Sequence, residues 1–477
     1  MAPRDLAAPS VVILVADGAR PDTLAAAMDR GDLPALARLR TDGGLYTVTS
    51  VFPSVTGPAY TPFLMGRYPG PVGLPGIRWY DRTHARARWP GFSRSYVGVG
   101  MLDVDGDLDH TAPTLFELAS NRLGALSVIE RGLSLREQVA RGPLFTARAA
   151  LTHFRGDVNG WLDIDRAVAD RVVRRVATER PQFTFCALTG IDKTSHAAGH
   201  DAPTVLDAMR VVDQTAARLR ADAERDGRWE QMHLWIVSDH GHSPVHTHED
   251  LAALLKATGV RVRAHPWTAG AGHRAAVMVS GNAMAHVYLD LERRDRPWWP
   301  ALAPEWDWLA DLLTAREATD LLLLPLSALE CEVRSRTRGV ARVSVHRGRY
   351  SYRPLSGDPL GLGELDGLDT LAAHDATAAG DYPDALVQIA LLAGSARAGD
   401  LILSASRGWD FRATWEPIPH VSAHGALHRE HMAVPLLLNR PPVRIPRRTV
   451  DVFPSALDAV GITSAAPCDG TNWRALG

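Results

Sequence analysis

The chain has 477 residues, of which 46% are hydrophobic and 22% charged, with 40 Gly and 32 Pro scattered without a period. This composition excludes a fibrous or disordered chain, and the length predicts either two to three units of roughly 150 residues or one large α/β core carrying an insertion; the latter is the expectation. With 52 basic against 54 acidic side chains, a formal charge of -2, no basic field exists to recruit a nucleic-acid polymer or an anionic membrane surface.

The run Val11-Val12-Ile13-Leu14-Val15-Ala16 is too short to span a bilayer and leads straight into Asp17, so it predicts a buried strand and not a targeting segment. Helix-forming residues with a leucine-rich face follow from Leu24 to Leu39, completing a βα unit. Ile164, Val168, Val172 and Val176 recur every four residues and predict a helix, after which Phe183 to Leu188 predicts a buried strand reaching Asp192. Leu206, Met209, Val212, Ala216 and Leu219 then predict another helix, and Leu234 to Val237 another strand, ending at Asp239.

This alternation predicts an α/β fold with a mostly parallel central sheet and helices on both faces. Between about His246 and His420 the pattern changes to a hairpin-like stretch at Val343, Val345, Tyr350 and Tyr352, a Trp298-Trp299 and Trp306 cluster, and a Gly/Pro-rich run from Ser356 to Gly363. The expectation is an inserted α+β cap over 246–420, with 1–245 and 421–477 forming the core, to which Pro435 to Leu438 returns as a strand. The run Leu321 to Leu324 is broken by Pro325, so no membrane association is expected. Cys186, Cys331 and Cys468 form no CxxC pair, which predicts a reducing, cytoplasmic setting, with Cys186 in the core.

Open α/β sheets gather ligands beyond the carboxyl ends of their strands, and Asp17, Asp192, His196, Asp239, His240 and His424 fall there or in the loops after such ends. Imidazole and carboxylate donors in this number suit a pair of zinc ions. Neither the Asp192-to-His196 spacing of four nor the Asp239-His240 dipeptide is specific alone, since each occurs often by chance; joint placement carries the expectation. Thr56, in Val51-Phe52-Pro53-Ser54-Val55-Thr56-Gly57-Pro58, is an ordinary turn threonine on one reading. On the other it is a nucleophile, activated by a zinc held by Asp17, Asp239 and His240, while a second zinc takes Asp192, His196 and His424.

The order Asp17-Gly18, Phe52-Pro53-Ser54-Val55-Thr56, Gly66-Arg67-Tyr68-Pro69, Asp192-Lys193-Thr194-Ser195-His196, Ser238-Asp239-His240-Gly241 and Ala423-His424-Gly425 resembles the alkaline phosphatase superfamily, and within it the nucleotide pyrophosphatase/phosphodiesterase branch. The resemblance covers about residues 10 to 245 and 400 to 460. It implies a two-zinc core, with Mn2+ as the other candidate metal, in which Thr56 forms a covalent phosphothreonine that a zinc-activated water then hydrolyses. The ligand sets it implies are Asp17, Thr56, Asp239 and His240 for one ion and Asp192, His196 and His424 for the other, and the substrate is a small-molecule phosphate monoester or diester.

Departures from the branch concern the substrate. Ala59 and Tyr60 follow the nucleophile where the branch has a phosphate-binding Asn nearby, Ser195 stands in place of Gly, and His200 in place of Pro. Lys193, Tyr60 or the backbone N–H of Gly57 are the candidates to replace the lost donor. A sulfatase needs a CxPxR setting that none of the cysteines has; a phosphonate- or phosphomutase-type enzyme on this core, or a decayed metal-binding protein, are the alternatives. Asp103 to Asp109 lacks the bidentate Glu of a calcium loop and is expected to be solvated, while His242, His246, His248, His428 and His431 are expected to line or approach the pocket without binding metal.

Overall fold

The computed structural model describes residues 8–82, 93–265, 272–412 and 420–475. Its central sheet has seven strands in the spatial order Leu45–Thr49, Ala433–Leu438, Met232–Val237, Ser10–Ala16, Phe183–Leu188, Arg122–Ala125 and Gln138–Val139. All neighbours pair in parallel except those of Ala433–Leu438, which runs antiparallel to both of its partners. A mostly parallel α/β sheet is thus what the chain forms.

The apolar runs of the sequence have a direct physical reading here. Along the strand Ser10–Ala16, Val11, Ile13 and Val15 enter one apolar layer and Val12, Leu14 and Ala16 the other. A strand covered on both faces needs hydrophobic side chains at every position, which is why it reads as a continuous run and not as an alternation. On one face the helices Val158–Glu179 and Pro203–Arg225 bury Ile164, Val168, Val172, Val176, Met209, Val212, Ala216 and Leu219, the residues whose spacing predicted them. The other face is filled by Phe63, Phe116, Phe185 and Phe453.

A second sheet of nine strands, all lying between Val262 and Ala405, packs beside the first with its own apolar layers. Within it Val343 pairs with Tyr352 and Val345 with Tyr350, the hairpin that the sequence predicts. Trp306 and Trp308 stack on the helix Trp299–Thr314 with ring centroids 6.2 Å apart. The Gly/Pro-rich run after Ser356 is a turn organised by Asp358, which accepts the N–H groups of Gly361 at 2.9 Å and Gly363 at 2.7 Å.

Two expectations are corrected. The helix expected over Leu24 to Leu39 is two helices, Pro21–Asp29 and Pro34–Gly43. Gly31 between them takes φ +81°, and Pro34 has no N–H to continue the first helix but suits the start of the second. The acidic run from Asp103 is also not simply solvated: Asp107 is buried in an ion pair with Arg94, and Asp105 accepts the N–H of Glu130 at 3.0 Å. Cys186 lies in the core as expected. Among the described residues no helix is long and apolar enough to cross a membrane.

One buried carboxylate fixes the element that carries two of the candidate ligands. Asp165, on the long helix, accepts the N–H groups of Thr189 at 3.1 Å and Gly190 at 2.6 Å at the start of the helix Gly190–Ala198. Helix N-terminal amides have no partner within their own helix, so Asp165 both satisfies them and holds the helix against the strand end. Asp165→Ala is expected to lower unfolding free energy by roughly 1–3 kcal/mol, the cost of stranding buried donors. Urea denaturation would measure this, with Asp170→Ala on the exposed side of the same helix shifting stability by no more than about 0.5 kcal/mol.

Candidate active site

Three neighbouring parallel strands end at one level, with Ala16 in register with Leu188 and Val15 with Val237. Each chain then delivers a carboxylate just past that edge: Asp17 directly, Asp239 two residues after its strand, and Asp192 in the first turn of the helix Gly190–Ala198. All three are essentially inaccessible to solvent. The loop after Leu45–Thr49 brings Thr56 to the same place, and the turn after Ser422–Ala423 brings His424.

Thr56 Oγ1 donates toward Asp17 Oδ1 at 3.3 Å and lies 3.3 Å from His240 Nε2. His240 Nε2 is in turn 3.3 Å from Asp17 Oδ1 and 3.5 Å from Asp239 Oδ2. Asp17, Asp239 and His240 therefore form a group whose donor atoms lie close enough to share one metal ion, with the Thr56 hydroxyl at its rim. Zinc bonded at about 2.0–2.1 Å in a tetrahedron sets its ligand atoms roughly 3.3 Å apart, which these separations match.

The second set centres on Asp192 Oδ1, which lies 3.0 Å from His242 Nε2, 3.2 Å from His196 Nε2 and 3.5 Å from His424 Nε2. The donors do not divide as simply as the sequence suggests. They form the overlapping groups Asp192, His196 and His242, and Asp192, His240 and His424. His424 stacks on His240 with centroids 3.6 Å apart and planes 2° from parallel, so the two sets share a wall. His242, expected to line the pocket without binding metal, has its Nε2 beside Asp192 Oδ1 and so neighbours the candidate ligands directly. Residues two apart in extended chain share a face, so the spacing of His240 and His242 carried a signal for this.

Whether these residues fit metal ions is decided by their tautomers. His196 Nδ1 is 2.8 Å from Ser422 O, His424 Nδ1 3.0 Å from Ser54 O and His240 Nδ1 3.2 Å from Gly241 O. A carbonyl oxygen only accepts, so each Nδ1 carries a proton and each Nε2 faces a carboxylate. Lone pairs facing lone pairs repel unless a cation lies between them, and this outer hydrogen bond is the arrangement metal-bound imidazoles use. The donor set fits.

The charges say the same. Burial, and then Asp239 and Asp192, push the Asp17 carboxyl up to about 8. Burial alone would lower His240, but Asp239 and Asp17 outweigh it and raise the imidazole to about 9, so a proton takes the cation's place between them. Burial would raise Asp192, yet Lys193, with Nζ 2.7 Å from Oδ2, and His196 hold it well below the carboxylate range. Burial and the neighbouring His240 push His424 well down, and burial takes His242 to about 3 despite Asp192.

The proposed phosphate donors sit differently from one another. Gly57 takes φ +89°, and a Cβ there would lie 2.6 Å from the Tyr96 ring, whose hydroxyl donates to Thr56 O. Tyr60 is buried against Phe185 with centroids 5.2 Å apart, and its hydroxyl has no hydrogen-bond partner among the described residues. Lys193 is the candidate donor with a part-exposed side chain, 24% accessible. Of the other histidines, His428 and His431 are buried against each other behind the site, His246 is exposed, and His248 pairs with Asp410 at 2.7 Å. Sequence reasoning missed His420, which stacks on His196 at 4.6 Å.

Comparison with known proteins is consistent with this geometry. Residues 11–297 match the family model described as type I phosphodiesterase / nucleotide pyrophosphatase. No curated protein matches the chain. Among solved structures, phosphonoacetate hydrolase from Sinorhizobium meliloti in complex with phosphonoformate is similar at 16% identity and a TM-score of 0.57, covering 95% of this chain and 96% of that one. Human ectonucleotide pyrophosphatase / phosphodiesterase 5 is similar at 14% identity and a TM-score of 0.58, covering 98% of each chain. An inactive variant of the murine protein, in complex with AMP, has 14% identity, a TM-score of 0.56 and 98% coverage of each chain.

The carboxyl at about 8 and the imidazole at about 9 must both lose protons before a cation can bind. Affinity is therefore expected to rise with pH from 6 to 8, by up to about tenfold per unit for each proton released. Zinc titration of chelator-treated protein at several pH values, with proton release followed by calorimetry in buffers of different ionisation enthalpy, measures it; a flat profile would contradict the assignment of Asp17 and His240.

Proposed function

The chain belongs to the type I phosphodiesterase / nucleotide pyrophosphatase family, and from that premise we propose that it is a phosphohydrolase that moves the phosphoryl group of a small ester first to Thr56 and then to water. The observation that carries this reading is the placement of Thr56 Oγ1 at 3.3 Å from both Asp17 and His240, at the rim of a buried acid–imidazole cluster. In this reading Asp17, Asp239, His240 and Thr56 would hold one zinc ion and Asp192, His196 and His424 the other, with His242 against Asp192. Bound there, the two ions supply the positive charge that phosphoryl transfer needs on its attacking and leaving oxygens.

The residues of the chain do the rest. Once its own proton has been released, the Asp17 carboxylate orients the Thr56 hydroxyl and accepts its proton as the oxygen attacks phosphorus. The bond to the leaving oxygen breaks in line with that attack, and the departing oxygen takes a proton from solvent. Lys193 supplies an ammonium beside Asp192 for a non-bridging phosphoryl oxygen, the role the missing Asn leaves open, and the Gly57 N–H is the second donor. Tyr60, fully buried against Phe185, gives the pocket no donor. The segment 246–420 acts as the cap against which the leaving group rests, a reading supported by the nine-stranded sheet that all lies between Val262 and Ala405.

Turnover of p-nitrophenyl phosphate, bis-p-nitrophenyl phosphate and a p-nitrophenyl phosphonate ester with added zinc tests the reading. Thr56→Ala is expected to lose at least about a thousandfold in kcat even when loaded with metal through the remaining ligands, and Thr56→Ser to recover part of it. Intact mass after acid quench should show one phosphoryl group on the wild-type chain and none on Thr56→Ala. Full metal occupancy with no turnover of any ester would instead mark a metal-binding protein whose pocket has decayed. Lys193→Ala is expected to cut kcat/KM roughly 10- to 100-fold, the range for a hydrogen bond to a charged group; unchanged efficiency removes Lys193 from the pocket.

A further inference from the structure

The helix Ala385–Ala393 reads Ala-Leu-Val-Gln-Ile-Ala-Leu-Leu-Ala and is buried on nearly every side, with one polar side chain, Gln388, 2% accessible. A lone buried amide in an apolar helix must find partners or destabilise the fold. Its partners lie in the loop that carries the nucleophile. Gln388 Oε1 accepts the N–H of Phe52 at 2.8 Å, and Nε2 donates to Ser50 O at 3.2 Å and to Asp384 Oδ2 at 2.9 Å.

The backbone explains why this loop calls for such a partner. Strand pairing with Ala433–Leu438 stops at Thr49, and Ser50 N still reaches Met432 O at 2.7 Å, but the chain then leaves the sheet. The Gln388 amide takes over where the ladder ends, offering one acceptor and one donor to the chain as a neighbouring strand would. Its orientation is fixed by charge. Arg448 grips the Asp384 carboxylate at 2.7 and 2.9 Å, and a carboxylate can only accept, so the NH2 of Gln388 faces Asp384 and Ser50 O while its oxygen is left for Phe52 N–H. Val51 and Phe52 pack in the same apolar layer as Leu386 and Ile389 of that helix.

Downstream, Ser54 Oγ donates to Ala426 O at 2.9 Å and Ser54 O accepts from His424. The loop is thus clamped on both sides of Phe52-Pro53, four residues before Thr56. Ser54 ties it to a candidate metal ligand, whereas Gln388 comes from a helix that gives the site no other residue. We propose that Gln388 is a positioning residue for Thr56, holding the nucleophile loop in register with the carboxylate cluster without touching the substrate. This inference rests on Thr56 being the nucleophile.

The test compares wild type with Gln388→Met, which keeps the packing and loses all three hydrogen bonds, two of them to the loop, and Gln388→Asn, which keeps the amide one methylene short. Gln388→Met should lower kcat by about tenfold to a hundredfold, as a displacement of the order of 1 Å does, with KM within about threefold. Zinc content should be unchanged, and deuterium exchange in the segment 50–57 faster. Gln388→Asn should fall between the two, and if Gln388→Met does not fold, the kcat-against-KM split of Gln388→Asn decides. A lowered melting temperature with kcat and segment exchange unchanged would reduce Gln388 to a structural residue and overturn the proposal. Thr56→Ala serves as the separate control: if it stays active, the nucleophile assignment fails, whereas an inactive Thr56→Ala beside an unimpaired Gln388→Met sinks the Gln388 inference alone.

Discussion

Three carboxylates, Asp17, Asp192 and Asp239, are buried in one cluster, with ligand atoms of Asp17 and Asp239 within 4.8 Å of each other and the ammonium of Lys193 against Asp192. Like charges at such separations, away from water, repel by several kcal/mol at an effective dielectric of about 20. Protons relieve this in part, which is why Asp17 and His240 hold theirs to about 8 and about 9. Divalent cations relieve it more fully, because the histidine Nε2 atoms already face the carboxylates. The cluster is therefore one that a cation would stabilise, and contacts from the surrounding fold hold it in place.

That restraint comes from several directions. The parallel strands fix Asp17 and Asp239 to one edge by register. Asp165 pins the helix that carries Asp192 and His196. Ser54, through its carbonyl, and Ser422, through its own, orient His424 and His196. The nucleophile loop, which has left the sheet, is held by side chains from outside it. Catalytic groups must be held more tightly than their own interactions would hold them, and these outer contacts supply that rigidity.

Much of this was legible in the sequence, for stateable reasons. Strands covered on both faces must be apolar at every position, so Val11 to Ala16, Phe183 to Leu188 and Leu234 to Val237 stood out, each followed by its aspartate. The break at Gly31 to Pro34 was less visible because leucines continue the helical spacing across it. All seven candidate metal and nucleophile groups come together, yet the pairing of imidazoles with carboxylates depends on side-chain angles that spacing does not encode. Hence His424 stacks on His240 and His242 joins Asp192. Asp165 and Gln388 were readable in principle, since each is a lone polar residue among buried apolar neighbours, but their partners lie 24 and 336 residues away along the chain.

The central claim is that the buried cluster is a site for two cations sharing the wall between His240 and His424. Zinc bound per chain, measured by elemental analysis after equilibrium dialysis, tests it most directly when wild type is set beside Asp192→Asn and Asp239→Asn. The account predicts two equivalents for wild type and about one for each variant, lost from opposite sides of the wall. A wild-type chain that binds no zinc, or variants that both retain the full wild-type amount, would contradict it.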